Sequence, residues 1–263
     1  MSARSATPKT RTPLSACVIT LNEADRIEAC LASLAFCDDI VVVDSGSGDG
    51  TRELAAARRA RVLERAFDGY RTQKDFAVRS ALHDWVLCLD ADERVTPELR
   101  TAIEAARDSG FGGVAGYRFA RRTEYFGAFL RHGNAYPDRV LRLFDRRRGG
   151  WRGDREIHEH ASVDGPVKIL PGDLEHRAYR SFADQTARLD RYARLMARHL
   201  HGTGRRARVA NLIGNPLWRF LRGYVLRAGF LDGWRGLVYA LVEADYVRRK
   251  FIALWLLDRN QDA

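Results

Sequence analysis

Three short runs in the first half of the chain are apolar without alternation: Ser15–Thr20 (SACVIT), Ile40–Asp44 (IVVVD) and Trp85–Leu89 (WVLCL). A strand apolar on both faces has to be covered on both, and parallel pairing needs a long crossover between strands. The intervening segments supply it. Glu23–Phe36 places Ile27, Leu31 and Leu34 on one helical face, and Thr51–Ala60 and Thr72–Leu82 read as further helices around a short strand at Ala60–Leu63. Pro97 sits where a first helical turn tolerates it, opening a helix to about Arg107. The pattern predicts an α/β fold with a largely parallel sheet covered on both sides.

From Gly113 the texture changes. Gly116–Phe126 and Arg139–Asp145 have strand composition interleaved with arginines, which predicts a smaller mixed-sheet region, and Arg146–Arg155 reads as irregular. After His176 the pattern is helical: Phe182, Leu189, Tyr192, Met196 and Leu200 form an apolar stripe with Arg191, Arg194 and Arg198 on another face. The expected organisation is a disordered tail at 1–13, a catalytic domain at 14–176 with halves at about 14–112 and 113–176, and a helical region at 177–263.

Charge separates these parts. Through residue 176 there are 27 basic and 27 acidic residues, and beyond it 17 against 7, so the last third carries the whole net charge of +10. A basic third implies an anionic partner surface. Trp218, Phe220, Leu221, Tyr224, Phe230 and Trp234 are interleaved there with Arg219, Arg222, Arg227 and Arg235, which suits a membrane headgroup boundary; packing on the catalytic domain or in a homo-oligomer is the other reading. The longest clean apolar run, Phe251–Leu257, is too short to span a bilayer, and the basic N-terminal segment lacks the apolar core of a signal peptide. Cys17, Cys30, Cys37 and Cys88 contain no C-x-x-C pair and read as reduced, small buried side chains. A cytoplasmic location follows, peripheral on the inner membrane.

The chemistry-bearing residues gather at strand ends. Trp85–Glu93 (WVLCLDADE) runs a buried strand into Asp90 and Asp92; if the extended backbone continues, both carboxylates project to one side at the edge where open α/β sheets bind ligands. Two such oxygens can hold a hard divalent cation, or the acids can simply form a loop capping the next helix. The first strand ends in Thr20-Leu21-Asn22-Glu23 and the second at Asp44 in VVVDSGSGDGT, while Gln73-Lys74-Asp75-Phe76-Ala77 lies on the third helix. Acids at strand ends can accept hydrogen bonds from a ribose or base edge, and Lys74 can offset diphosphate charge. SGSGDG matches no phosphate-loop pattern and reads as a turn.

In order and spacing, these four segments resemble the motif set of family 2 glycosyltransferases, which have the GT-A fold. Gly127–Asp145 (GAFLRHGNAYPDRVLRLFD), Ile157-His158-Glu159 and Gly229–Gly233 (GFLDG) further resemble the lipopolysaccharide-core β-1,4-glucosyltransferase subgroup. The resemblance spans about residues 14–250 and departs at Asp75, where many relatives have Asn. It implies an inverting glycosyltransferase with UDP-glucose as donor and an anionic glycolipid as acceptor. It implies donor binding by Thr20, Asn22, Glu23, Asp44, Gln73, Lys74, Asp75 and Asp90. Asp92 would bind Mg²⁺ or Mn²⁺ directly, with Asp90 beside it.

Inversion also needs a base for the acceptor hydroxyl. Glu159 is the family's carboxylate in that region, and His158 is the rival. His132, Arg139 and Arg142 are candidates to grip an anionic acceptor, although Arg142 also fits an alternating strand face. Transfer to polyprenyl phosphate or to another polysaccharide acceptor, and nucleotidyl transfer, are alternatives on the same fold. A non-catalytic RNA- or membrane-binding protein would leave the acids at three strand ends unexplained, and no RNA-binding motif is present.

Overall fold

The computed structural model describes residues 11–153 and 159–261. The chain forms two compact units, one reaching from the N-terminal side to Ala120 and including Arg139–Leu174, the other made of Arg121–Asp138 and Glu175–Ala263. In chain order the elements are β1 (Leu14–Thr20), α1 (Ile27–Ser33), β2 (Asp39–Asp44), α2 (Thr51–Ala57), β3 (Arg61–Glu64), α3 (Tyr70–Ser80), β4 (Trp85–Asp90), β5 (Glu93–Val95) and α4 (Pro97–Asp108). They continue with β6 (Gly116–Tyr125), β7 (Ala128–Phe129), β8 (Asp138–Asp145), β9 (Gly149–Arg152), β10 (His160–Val163), β11 (Val167–His176), α5 (Phe182–Gly202), α6 (Val209–Phe220) and α7 (Gly233–Leu257).

The main sheet has the order β3-β2-β1-β4-β8-β6-β11-β5. Its β3-β2-β1-β4 half is parallel, and β8 pairs antiparallel with β4. The apolar runs are buried on both faces because alternate residues feed two cores. Val18, Val42, Leu87 and Leu89 pack with Ile27 and Leu31 of α1 and with Leu99 and Ile103 of α4. Cys17, Val41, Val43 and Cys88 pack on the other side with Ala77 and Val78 of α3 and with Trp151. Thr96 caps α4 by accepting from Leu99 N (3.3 Å), with Pro97 in the first turn.

Two segments differ from the sequence pattern. The helix expected from Glu23 starts at Ile27; before it, the N–H groups of residues 22–24 donate to the side chains of Ser47, Thr51 and Asp49, between the end of β2 and the start of α2. The stretch expected to be irregular after Arg146 contains β9, which pairs antiparallel with β10 and sets Trp151 opposite Ala161. Its glycines hide a strand: a Cβ at Gly149 would lie 2.1 Å from the Ser162 carbonyl oxygen, so only glycine permits this pairing.

The second unit joins the β6–β7 turn to α5, α6 and α7. Tyr125 Oη donates to Gln185 Oε1 of α5 (2.8 Å) and meets Tyr239 of α7 edge-on. The buried positions of α5 are Gln185, Ala193 and Ala197; of the apolar stripe, Phe182 is exposed, Leu189, Tyr192 and Met196 are half-buried, and Leu200 packs on the α7 cluster. Ala197 packs with Val247, Phe251 and Leu254 of α7. No helix among the described residues is long and apolar enough to cross a membrane.

Candidate active site

The parallel register brings the strand ends level, with Thr20 beside Asp44 and Ile19 beside Asp90. Asp44 is fully buried, and its Oδ1 accepts from Gly46 N (2.9 Å) and Ser47 N (2.8 Å), so it orders the SGSGDG turn. Gly46 and Gly50 take the positive φ the turn requires. Asn22 ties this turn to the end of β1: its N–H donates to Ser47 Oγ (2.8 Å) and its Oδ1 accepts from Gly48 N (3.0 Å). Gln73 is buried, donating from Nε2 to Ser45 Oγ (3.0 Å) and Arg65 O (3.1 Å), while Asp75 Oδ1 accepts from Trp151 N (3.0 Å) and anchors β9 on α3.

A charged cluster stands at the end of β4. Lys74 of α3 is buried, its Nζ 3.1 Å from Asp90 Oδ1 and 3.3 Å from Glu159 Oε1, with the Trp151 ring 4.6 Å away. Beneath it Arg142 of β8 donates from Nη2 to Asp90 Oδ2 and to Glu93 Oε1, both at 2.9 Å. Glu93 is fully buried, and its Oε2 accepts from Asp90 N (3.0 Å). Burial works against the charge on Arg142, but the Glu93 and Asp90 carboxylates more than offset it and hold its pKa above the ordinary arginine value.

Extended geometry does not persist through the D-A-D segment: β4 stops at Asp90, and Ala91 and Asp92 form a turn into β5. Arg26 lies near this turn, its Nη1 3.6 Å from Glu23 Oε2 and 3.9 Å from Asp92 Oδ2. Among the described residues no three His, Cys, Asp or Glu side chains gather as a cation cage. Two carboxylates at a strand end nevertheless suit a hard divalent ion, which keeps water and phosphate oxygens among its ligands. Asp90 and Asp92, whose side chains are 27% and 13% exposed, have the donor chemistry for it.

Of the acceptor candidates, Arg142 is spent on Asp90 and Glu93, so this geometry makes it an internal counter-ion rather than a surface grip. Arg139 is exposed at the start of β8. His132, in the second unit, shares Nδ1 with Asp232 Oδ1 (2.9 Å), whose carboxylate also accepts from the N–H groups of Arg131 and His132. That carboxylate joins the R-H-G-N and G-F-L-D-G segments. His158 lies outside the described residues.

The pattern of the chain left Arg26, Glu93 and Trp151 unassigned. Glu93 alone carried a signal, as the last residue of the acidic strand end. An open cleft of about 610 Å³ is lined by Asp75, Trp151, Arg146 and Arg147 among others. Arg146 donates to carbonyls closing α3 and Arg147 pairs with Asp145 and Asp84, so these arginines serve the fold. All four cysteines are free thiols. The Cys88 hydrogen bond followed by burial raises the Cys17 pKa, and burial raises that of Cys30 and pushes Cys37 up to about 12, so these three stay protonated.

Acids and cations collected where parallel strands end, with helices on both faces of the sheet, make the layout of sugar-transferring enzymes with the GT-A fold. The fold superposes on glucosyl-3-phosphoglycerate synthase from Mycobacterium tuberculosis, solved with phosphoglyceric acid, at a TM-score of 0.50 and 17% identity over 74% of this chain and 81% of that one. The chain belongs to glycosyl transferase family 2, whose pattern matches residues 15–162, and it is a glycosyltransferase. It is 34% identical over 248 residues to the lipopolysaccharide core biosynthesis glycosyltransferase LpsC of Rhizobium meliloti, covering 88% of this chain and 90% of the relative. An uncharacterized glycosyltransferase of Rickettsia prowazekii is 27% identical over 88% of this chain and 82% of its own length.

Proposed function

We propose that this glycosyltransferase inverts the anomeric centre of a hexose as it moves it from a nucleotide donor, UDP-glucose, to an anionic glycolipid of the lipopolysaccharide core. The name of the Rhizobium relative supports the acceptor class. The observation that carries the mechanism is Lys74 held between Asp90 and Glu159 at the end of β4.

In this reading the acceptor hydroxyl attacks C1 of the donor sugar from the face opposite the diphosphate. The new C–O bond forms as the C1–phosphate oxygen bond breaks, the electron pair leaves with the nucleoside diphosphate, and Glu159 takes the hydroxyl proton. Lys74 supplies positive charge beside Asp90 where the diphosphate's negative charge grows. Asp92 and Asp90 would hold Mg²⁺ or Mn²⁺, which when bound neutralises the same charge. Glu23, held by Arg26, and the loops ordered by Asn22 and Asp44 form the nucleoside side, and Arg139 offers a cation to the acceptor. Donor binding falls to about residues 14–112. The acceptor's lipid places the enzyme at the cytoplasmic face of the inner membrane.

The test is Glu159→Gln, which keeps the shape and removes the basicity. Turnover should fall by roughly 10²–10⁴ with donor affinity nearly unchanged. Product of retained anomeric configuration, followed by proton NMR, would refute single displacement.

A further inference from the structure

The helix α6 is inverted relative to a helix of a water-soluble surface. None of its residues is buried, and Val209, Ile213 and Leu217 form a stripe at four-residue spacing that continues through Leu221 and Val225; all five are exposed. Trp218 flanks the stripe at 57% exposure, and Leu226, Phe230, Leu231 and Trp234 extend the apolar surface through the turn into α7. Monomeric soluble proteins rarely present contiguous apolar patches of this extent. The opposite side of α6 is the one that packs: Leu212 lies against the cluster formed by Val247, Phe251 and Leu254 of α7.

The charge around this surface has one sign. Residues 204–235 contain seven arginines and a single acid, Asp232, whose carboxylate is engaged by Arg131 and His132. Arg219 is committed to Glu243, while Arg205 and Arg227 are exposed and Arg222 is half-buried. A second copy set against this face would bring arginines against arginines. An anionic lipid leaflet complements both properties, with rings and aliphatic groups entering the acyl boundary and guanidinium groups meeting phosphates.

From this we infer that the exposed face running from Val209 through α6 to Trp234 is an in-plane membrane-docking surface for an anionic bilayer. The inference deepens the proposed function, resting on its glycolipid acceptor only for its biological purpose. The docking lies parallel to the bilayer, with α6 along its surface; among the described residues no helix is long and apolar enough to cross it.

The full chain is mixed with vesicles of phosphatidylcholine and phosphatidylglycerol, or of phosphatidylcholine alone, and sedimented. Binding should require the anionic lipid, weaken with added salt, and be accompanied by quenching of Trp218 and Trp234 by brominated acyl chains. Ile213→Asp with Leu217→Asp should lower partitioning roughly tenfold or more, and Arg222→Glu with Arg227→Glu should remove the preference for anionic lipid. Ile213, Leu217 and Arg227 are exposed, Arg222 is half-buried, and none belongs to the proposed catalytic site, so a water-soluble, deacylated acceptor should still be glycosylated by each at the wild-type rate. No sedimentation at low ionic strength, or equal sedimentation with both vesicle types, overturns the inference. So does a vesicle-free dimer that the aspartate variant dissociates. Vesicle binding by a chain that transfers no sugar would refute the catalytic reading and leave the docking surface standing.

Discussion

The ammonium of Lys74 lies 3.3 Å from Oε1 of Glu159, joining a residue of α3 to a carboxylate 85 positions further along the chain. The same ammonium is 3.1 Å from Asp90, so the proposed base and the strand-end acid share one counter-ion. A diphosphate entering beside Asp90 would compete for Lys74. On the proposed mechanism, donor binding would thereby be coupled to the setting of Glu159.

Lys74→Met should therefore act on both substrates' steps. We expect weaker UDP binding by calorimetry and a turnover loss of roughly 10²–10³, the range seen when a positioned donor to developing negative charge is removed. Lys74→Arg should recover part of the binding. Full wild-type turnover in the methionine variant would exclude the role.

Asp92 sits in the turn after β4, outside the apolar clusters that form the core, and is the proposed metal ligand. Asp92→Ala should abolish the Mn²⁺-dependent part of UDP affinity while changing unfolding free energy by no more than about 0.5 kcal/mol. Titration with and without the cation, beside a urea melt, measures both. Unaltered metal dependence would move the ligand elsewhere.

Arg142 separates a fold role from an acceptor role. With Glu93 fully buried opposite it, Arg142→Met leaves an uncompensated carboxylate and should cost about 3–5 kcal/mol. Replacing both, as Arg142→Met with Glu93→Gln, should restore much of that loss in urea unfolding. A residue that merely gripped acceptor would change KM and leave the melt alone.

Acid stability should depend on Asp39 at the start of β2. Burial opposes its charge, but Arg61, the Leu82 N–H and Ser15 Oγ all favour the carboxylate and together hold its pKa below the usual aspartate value. A depressed folded pKa gives stability that is present above the unfolded value of about 3.9 and is lost as pH falls through the folded one. Asp39→Asn should lower stability near neutrality by about 1–3 kcal/mol and flatten the decline below pH ~4. An unchanged acid limb by circular dichroism would count against it.

The sequence by itself determined the class of fold and the family. Apolar runs such as Ile40–Asp44 have one compact solution, helices obey their 3.6-residue period, and the Thr96-Pro97 start of α4 is a matter of local backbone chemistry. Placing acids at strand ends needed only those runs. What the tertiary structure decided is which charges meet. Lys74 finds Asp90 and Glu159, Arg142 finds Glu93, and Arg26 finds Asp92 across separations of 16 to 85 residues, which no local period encodes. The turn at Asp92, the glycine-masked strand β9 and the outward apolar face of α6 belong to the same group. Composition shows that α6 is apolar, but only packing against α7 decides which of its sides is left for another partner.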